Sequence, residues 1–447
     1  MHKLIVILIG LISFSAISQE NTPEQLSLQE AIDFALKNNR NALLATKDVS
    51  AAKKQKWETI ATGLPQIDAE VNYQNFLKQQ VSVVPAEIIG GPSGQLAEVI
   101  FGAKQTASAT ATLRQLIFDG SYLVGLQSAK VFLEISKNAK TKTDLQVRES
   151  VINAYGNVLL AEESIDILKS NIAILEKNVF DITKIYENGF EEEESVEQLK
   201  ITLTNVKNNL AKTIRLKTIA YQMLNLSLGI DFNTNLKLTD NLENLTDKNI
   251  ILGSPSEADV TSTIDYKIAE NDKVAKGLLV KLEKSKALPS LSAFLNGGYS
   301  SFNNEFSFLD EDNKWFASSL LGFSLKVPLF SSLGRTAATQ RAKINLEKAE
   351  LQLTETEQRL KLQINSAKSD YEFAIQDFGN KKENLGLAKR IEAKNQTKFF
   401  EGVATSFDLR QAQTQLYTIQ QEYLQSMLNV INTKAKLETL TNDISTF

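Results

Sequence analysis

The sequence predicts a mainly α-helical chain with a transmembrane β-barrel portion to which each chain gives four strands. Three observations lead there. Four segments alternate between apolar and polar residues, two proline-free stretches of 162 and 119 residues permit very long helices, and the whole plan occurs twice in the 447 residues.

The N-terminus carries Lys3, an apolar run from Leu4 to Ile17, and small residues Ala16 and Ser18 at a cleavage-site spacing. This is the tripartite pattern of a secretory signal over residues 1–18, and the run is short of the roughly 20 residues a spanning helix needs. No Cys follows, so a lipoprotein-type anchor is not available. Elsewhere no apolar run reaches 18 residues. Membrane insertion must therefore use strands.

The repeat sets the domain plan: 19–230 as a first unit, 231–255 as an irregular equatorial or linker segment, and 256–447 as a second unit. At an offset of 224, Gly63-Leu64-Pro65-Gln66-Ile67 sits over Ala287-Leu288-Pro289-Ser290-Leu291. Further on the offset falls to 212, for Ile117-Phe118 over Leu329-Phe330. The first half thus holds about 12 extra residues, expected in the loop with Pro85, Gly90, Gly91, Pro92 and Gly94.

Ser27 and Glu30 have capping-box spacing and start a first helix expected to run to Ile60. Pro65 and Pro289 then turn the chain from helix to strand, because proline cannot continue a helix interior. Ile67, Ala69, Val71 and Tyr73 alternate with Gln66, Asp68, Glu70 and Asn72; Ala107 to Leu113 alternate with Thr106 to Arg114. Leu291, Ala293 and Leu295 open a third strand, and Leu321, Phe323, Leu325 and Val327 a fourth. Tyr73, Phe76, Tyr299, Phe302, Trp315 and Phe316 lie near strand ends, where an interfacial aromatic girdle or an ordinary loop both fit.

From Ala342 to Phe378 the small or apolar positions have a mean step of 3.6, the period of a straight helix. Ile344, Leu351, Leu362 and Phe373 each follow a stripe member by two, so the helix expected over Leu333–Phe400 carries a second apolar face. At 1.5 Å per residue it is about 100 Å long.

Composition excludes much chemistry. There is no Cys, and the single His, His2, lies in the signal segment, so Cys- and His-ligated zinc sites, thiol nucleophiles and His-based catalysis lack their residues. No enzyme activity and no cofactor are expected. A net charge of −4 gives no support to nucleic-acid binding. Four amphipathic strands leave two edges that lipid does not tolerate, so copies must associate. Two chains give eight strands and three give 12.

Leu64-Pro65-Gln66-Ile67, Leu288-Pro289-Ser290-Leu291 and the run from Phe400-Glu401-Gly402-Val403 through Asp408-Leu409 to Ala412-Gln413-Thr414-Gln415-Leu416-Tyr417 resemble the TolC-type outer-membrane efflux proteins. The resemblance covers residues 26–442. It implies a homotrimer whose 12-stranded barrel sits in outer-membrane lipid, continued by a long α-helical barrel across the periplasm. It further implies a passive exit duct that works with a periplasmic adaptor, or membrane fusion, protein and an inner-membrane pump, in drug efflux or type I secretion.

By that resemblance Asp408 and Gln411 fall at the periplasmic pore constriction, where family members carry acidic residues; Gln411 departs from that pattern. Asp408 also has capping-box spacing from Thr405, a structural role compatible with the first. Gly189 and Gly402 end helices at the two hairpin tips, with Glu191, Glu192, Glu193 and Glu194 after the first; the acidic run reads either as a solvated surface or as an adaptor dock. The rival reading is an exported coiled-coil structural protein or periplasmic adaptor, which needs long helices but not four duplicated strands.

Overall fold

The computed structural model describes residues 24–251 and 259–443, so the expected signal segment lies outside the described residues. In chain order the elements are β1 (Gln25–Leu26), α1 (Leu28–Asn38), α2 (Arg40–Ala61), β2 (Gln66–Asn75), β3 (Val81–Pro85), β4 (Leu96–Ile100), β5 (Gln105–Asp119), α3 (Gly120–Glu187), α4 (Glu193–Leu228), β6 (Lys237–Leu238), α5 (Leu242–Ile251), α6 (Ile264–Ser285), β7 (Ser290–Asn303), β8 (Phe316–Lys326), α7 (Gly334–Phe400) and α8 (Ser406–Thr441). Two compact units result: one from Met1–Thr46, Lys140–Asp265 and Arg359–Phe447, the other from Lys47–Ala139 and Tyr266–Gln358. Each draws on both sequence repeats.

The second unit holds the sheet. Its strands stand in the order β2-β5-β7-β8, every pair antiparallel, with β2 and β8 at the edges. Three differences from the sequence reading appear in the first third of the chain. The expected first helix is two helices, because Asn39 is extended at ψ 133° and its side-chain oxygen accepts from the Asn41 amide at 2.8 Å. The extra loop is ordered: β3 pairs with β4, and Ala86–Ile89 forms a 3₁₀ turn between them. A β-bulge between Leu116 and Phe118 shifts the β5 register before the strand passes directly into α3.

The first unit is helical. The sequence reads 231–255 as irregular, yet it contains β6, paired in parallel with β1, and α5. A buried polar knot accounts for part of that order. The Tyr155 hydroxyl stands 3.0 Å from the Leu26 carbonyl and from Asp240 Oδ2, which also accepts the Leu28 amide at 2.7 Å. Tyr371 and Lys434 both donate to the Asn249 carbonyl, at 2.7 and 3.0 Å, fixing the end of α5. Burial disfavours the charge on Lys434, and nearby Glu438 partly restores it.

Nearer the hairpin ends, Leu168, Leu175 and Ile182 of α3 pack with Val196, Leu199 and Val206 of α4, joined by Phe399 and Leu409. Positions seven apart on α3, and steps of three and seven on α4, are coiled-coil spacing. On α7 the expected stripe is buried or half-buried from Ala342 to Phe378, while Ile344, Leu351, Leu362 and Phe373 stand exposed. Both faces read from sequence are present.

Three helices end on glycine in the left-handed region, at Gly189, Gly229 and Gly402. Around Gly229 a Cβ would lie 2.3 Å from the Asn38 carbonyl oxygen, whereas nothing lies within 4 Å of a Cβ at Gly189. Gly229→Ala is therefore expected to destabilise by roughly 2–4 kcal/mol, backbone strain plus clash, and Gly189→Ala by about 1–2 kcal/mol. Denaturation midpoints of the two variants check the order; equal losses reject it.

Candidate functional site

The register assigns every strand residue to one of two faces. Ile67, Val71, Leu113, Leu295, Tyr299, Leu321, Phe323 and Leu325 share one face, with alanines between them. Gln66, Asp68, Glu70, Thr110, Thr112, Arg114, Asn296, Ser318 and Ser324 share the other. The charged residues of the four-stranded sheet are Asp68, Glu70, Arg114, Asp119 and Lys326, and all five lie on the polar side of the alternation. The apolar face is uncovered along β2 and β8: Val71 is 81% and Phe323 67% exposed.

On the polar side of the sheet, Gln66, Thr112, Arg114, Phe294, Asn296 and Ser324 line a hollow. Phe294 lies across Gly322 of the next strand, where a Cβ would meet the ring at 2.4 Å. The aromatic side chains Tyr73, Tyr299, Phe302 and Phe316 pair within a few rows of one another at the end of the sheet away from Pro65 and Pro289. The loop between β7 and β8 adds Phe306 and Phe308, whose rings pack edge-on against Tyr73 at 5.7 and 5.8 Å. Among the described residues no helix is long and apolar enough to cross a membrane.

At the opposite end of each strand, Pro65 directly precedes β2 and Pro289 directly precedes β7. At the end of α2 the Ala61 carbonyl accepts both the Leu64 amide at 3.0 Å and the Gln66 side chain at 2.9 Å, which tie the turn at Pro65 to the helix.

The other candidate region is the pair of helical hairpin tips, in the first unit. Both descending helices end alike. The Phe190 amide donates to the Ile185 carbonyl at 3.1 Å and the Gly189 amide to Tyr186 at 2.8 Å; Val403 to Lys398 and Gly402 to Phe399 repeat the pattern at 2.8 and 3.0 Å. This is a Schellman closure at both places, and glycine supplies the required positive φ.

The ascending helices start differently. At α8 the capping box is complete: Asp408 Oδ2 accepts from the Thr405 amide at 3.0 Å and its hydroxyl at 2.7 Å, while the Asp408 amide donates to Thr405 Oγ1 at 3.2 Å. The Thr405 side chain, then its backbone amide, hold the Asp408 carboxyl below the ordinary aspartate value. At α4, Glu192 occupies the cap position without a side-chain bond, and Glu193 and Glu194 fill the first turn. Glu191 precedes them, half-buried; the other three are exposed. Gln411 is exposed three residues after Asp408, on the side of α8 away from Ala412 and Gln413.

Sequence reasoning missed how the tips are joined. Ser195 and Ser406 bring their hydroxyls within 2.7 Å, linking the starts of α4 and α8. Further along, the Asn171 side chain donates to Gln420 Oε1 at 2.8 Å inside the helix interface. Its signal was present: Ser164, Asn171 and Asn178 are buried polar residues seven apart within an apolar heptad pattern. Phe190, at the very tip, was also passed over; it is almost fully exposed.

Residues 275–443 match the family described as outer membrane efflux protein. Among solved structures, the chain is similar to CusC, a transmembrane channel, at 17% identity and TM-score 0.74, over 93% of this chain and 91% of that one. It is similar to the CmeC outer membrane channel of Campylobacter jejuni at 16% identity and TM-score 0.73, over 93% and 85%. It is also similar to the outer membrane protein VceC of Vibrio cholerae at 16% identity and TM-score 0.71, over 93% and 95%. No curated protein sequence matches.

The Asp408 cap makes a pH prediction. Because the folded carboxyl titrates below the ordinary value of 3.8, its contribution is complete above that pH and is lost as pH falls through the lower folded value. Protection factors of amides in the first turn of α8 are expected to drop in that acid window, and in Asp408→Ala to be low at every pH. A first turn equally protected in both proteins at neutral pH refutes the cap's role.

Proposed function

We propose that this chain, whose residues 275–443 match the outer membrane efflux protein family and whose fold is similar to that of solved outer-membrane channels, is the passive exit duct of a tripartite export machine. Three copies share one barrel in the outer membrane and one helical conduit through the periplasm; an adaptor and an inner-membrane pump supply selection and energy. The observation that carries the reading is the one-sided placement of charge on a four-stranded sheet with two open edges. Hydrocarbon accepts the Ile67, Val71, Leu321 and Phe323 face, and water requires the Asp68, Glu70 and Arg114 face.

The edges support closure between copies. Strand directions alternate from β2 through β5 and β7 to β8, so the outer edge of β8 meets the β2 of a following copy antiparallel, as the rest of the wall is built. Three copies give 12 strands, the even number that bacterial barrels use. The exposed second stripe of α7 supplies the matching association of helices. The rival reading, a coiled-coil structural or adaptor protein, gives no reason for a sheet whose charges all leave one face.

At the tips, Asp408 and Gln411 stand at the constriction, and three Asp408 carboxylates at one height attract cations and raise the barrier for anions. Capping and constriction use the same group without conflict, since one oxygen, Oδ2, makes both bonds to Thr405. The adaptor docks on the tip residues Gly189, Glu191, Glu192, Glu193, Glu194 and Gly402. The acidic run, ahead of a helix start that lacks a side-chain cap, offers this partner negative charge.

Two measurements test the reading. Leu320 and Leu321 are adjacent but project from opposite faces. Leu321→Arg is expected to cost about 2–4 kcal/mol of barrel stability in lipid, and Leu320→Arg almost nothing; folding titrations in bilayers that show equal losses reject the face assignment. In planar bilayers the three-copy protein is expected to conduct ions, with cation preference weakened in Asp408→Ala. Unchanged preference removes Asp408 from the constriction and leaves the barrel intact.

A further inference from the structure

The water-facing side of the sheet is polar almost throughout, and its exceptions are gathered. Along the four strands that side carries five large apolar residues, Leu116, Phe294, Phe302, Phe316 and Leu320. Phe302 and Phe316 lie at the end away from Pro65 and Pro289, with ring centroids 6.3 Å apart. The other three all line the hollow described above, whose volume is about 680 Å³. Pockets of that size hold drug-sized molecules. Apolar residues scattered singly on a wetted wall need no account, but three around one hollow do.

The same hollow contains the only arginine of the four-stranded sheet. Arg114 stands opposite Phe294 in the register, and among the described residues its guanidinium has no ion pair, hydrogen bond or ring partner. Asp68, the nearest acid in the register, is opposite Thr112 and makes no ion pair with it. The walls around Arg114 are held in place. Phe294 lies against Gly322, Asn296 Nδ2 donates to Thr112 Oγ1 at 2.7 Å, and Gln115 Nε2 donates to the Gly63 and Leu116 carbonyls at 2.9 and 2.7 Å. A guanidinium offers five donors in a fixed fork, accepts nothing and keeps its charge, so the group that completes it is a planar or tripodal oxyanion such as a carboxylate or sulfonate.

We propose that this hollow is a binding subsite for small amphipathic anions, with the apolar body of the ligand against Leu116, Phe294 and Leu320 and its carboxylate or sulfonate on Arg114. The inference rests on the reading that this side of the sheet faces the water of a shared barrel, and goes beyond it in giving the wall a preference among solutes. The class follows from what each alternative leaves unused. A cation is repelled by Arg114, a neutral apolar molecule leaves the guanidinium without a partner, and an inorganic anion makes no use of the three apolar side chains. A molecule with both parts uses both. Three copies place three such subsites at one height of the barrel.

Equilibrium dialysis of 2-naphthalenesulfonate against the full-length, three-copy protein in bilayer nanodiscs, with uptake by empty nanodiscs subtracted, tests the subsite. Saturable binding of one probe per chain is expected, and none of 2-naphthylmethylammonium. Arg114→Gln and Phe294→Ala are each expected to weaken binding about tenfold, and Arg114→Lys, which keeps the charge without the fork, about threefold. Lys326→Gln removes a cation of the same face outside the hollow and is expected to leave binding unchanged. A parent protein that conducts ions in planar bilayers but binds no probe saturably overturns the subsite and leaves the channel reading standing. An ammonium probe that binds as tightly as the sulfonate, or a Lys326→Gln loss equal to that of Arg114→Gln, does the same. A parent that conducts no ions overturns the channel reading and the subsite with it.

Discussion

The backbone of an edge strand in hydrocarbon has no partner for its amides and carbonyls, and each such group left open costs several kcal/mol. β2 and β8 present two such edges per chain. Little else in the molecule is intelligible without that constraint. In the proposed shared barrel it accounts for the bare apolar face of the sheet, for the confinement of the sheet's charges to the other face, and for the second apolar stripe that α7 exposes. A subunit of a closed wall must be unfinished on both flanks, and the unfinished surfaces must differ from one another.

The helices use two packing periods for two purposes. α7 follows 3.6 residues per turn and carries apolar residues on two faces, one buried and one exposed. Near the tips, α3 and α4 follow coiled-coil spacing around Leu175, Ile182 and Leu199. Polar residues punctuate α3 at the same interval, with Asn171 bonded across to Gln420 of α8. Buried amides of this kind add little stability but penalise a shifted register, because a slip pairs them with leucine. The tips therefore combine a firm start at α8, set by Thr405 and Asp408, with a start at α4 that has no side-chain cap.

Much of this was legible because period and punctuation are local. The alternation around Ile67 and Phe323, the stripe from Ala342 to Phe378, the Ser27 and Thr405 boxes and the terminal glycines all depend on neighbours within a few residues, and the structure has them where the sequence placed them. What was illegible depends on distant partners. The break at Asn39 is held partly by a bond from its side chain to the Ser227 carbonyl, 188 residues away. The order of 231–251 depends on Tyr155, Tyr371 and Lys434, none of them near in sequence. The ribbon of β3 and β4 hid behind Gly90, Gly91, Pro92 and Gly94, which sit in its turn, and Pro85, which ends β3. At the tips, the helix ends and the cap were readable from spacing, whereas the contact of Ser195 with Ser406 joins two repeats and leaves no trace in either.

One joint has a consequence for how such a wall tolerates change. Asp119 is the last residue of β5 and Gly120 the first of α3, with no loop between them, and a Cβ at Gly120 would strike Leu288 Cδ1 at 2.7 Å. Asp119 itself secures the junction by accepting the Ser121 and Tyr122 amides at 2.7 and 3.0 Å. A single residue inserted there turns every later side chain of α3 by about 100° and carries Leu168, Leu175 and Ile182 off their seam. Length variation is thus driven away from the hinge of strand and helix and into the ribbon at residues 76–104, which is where this half of the chain is longer than the other.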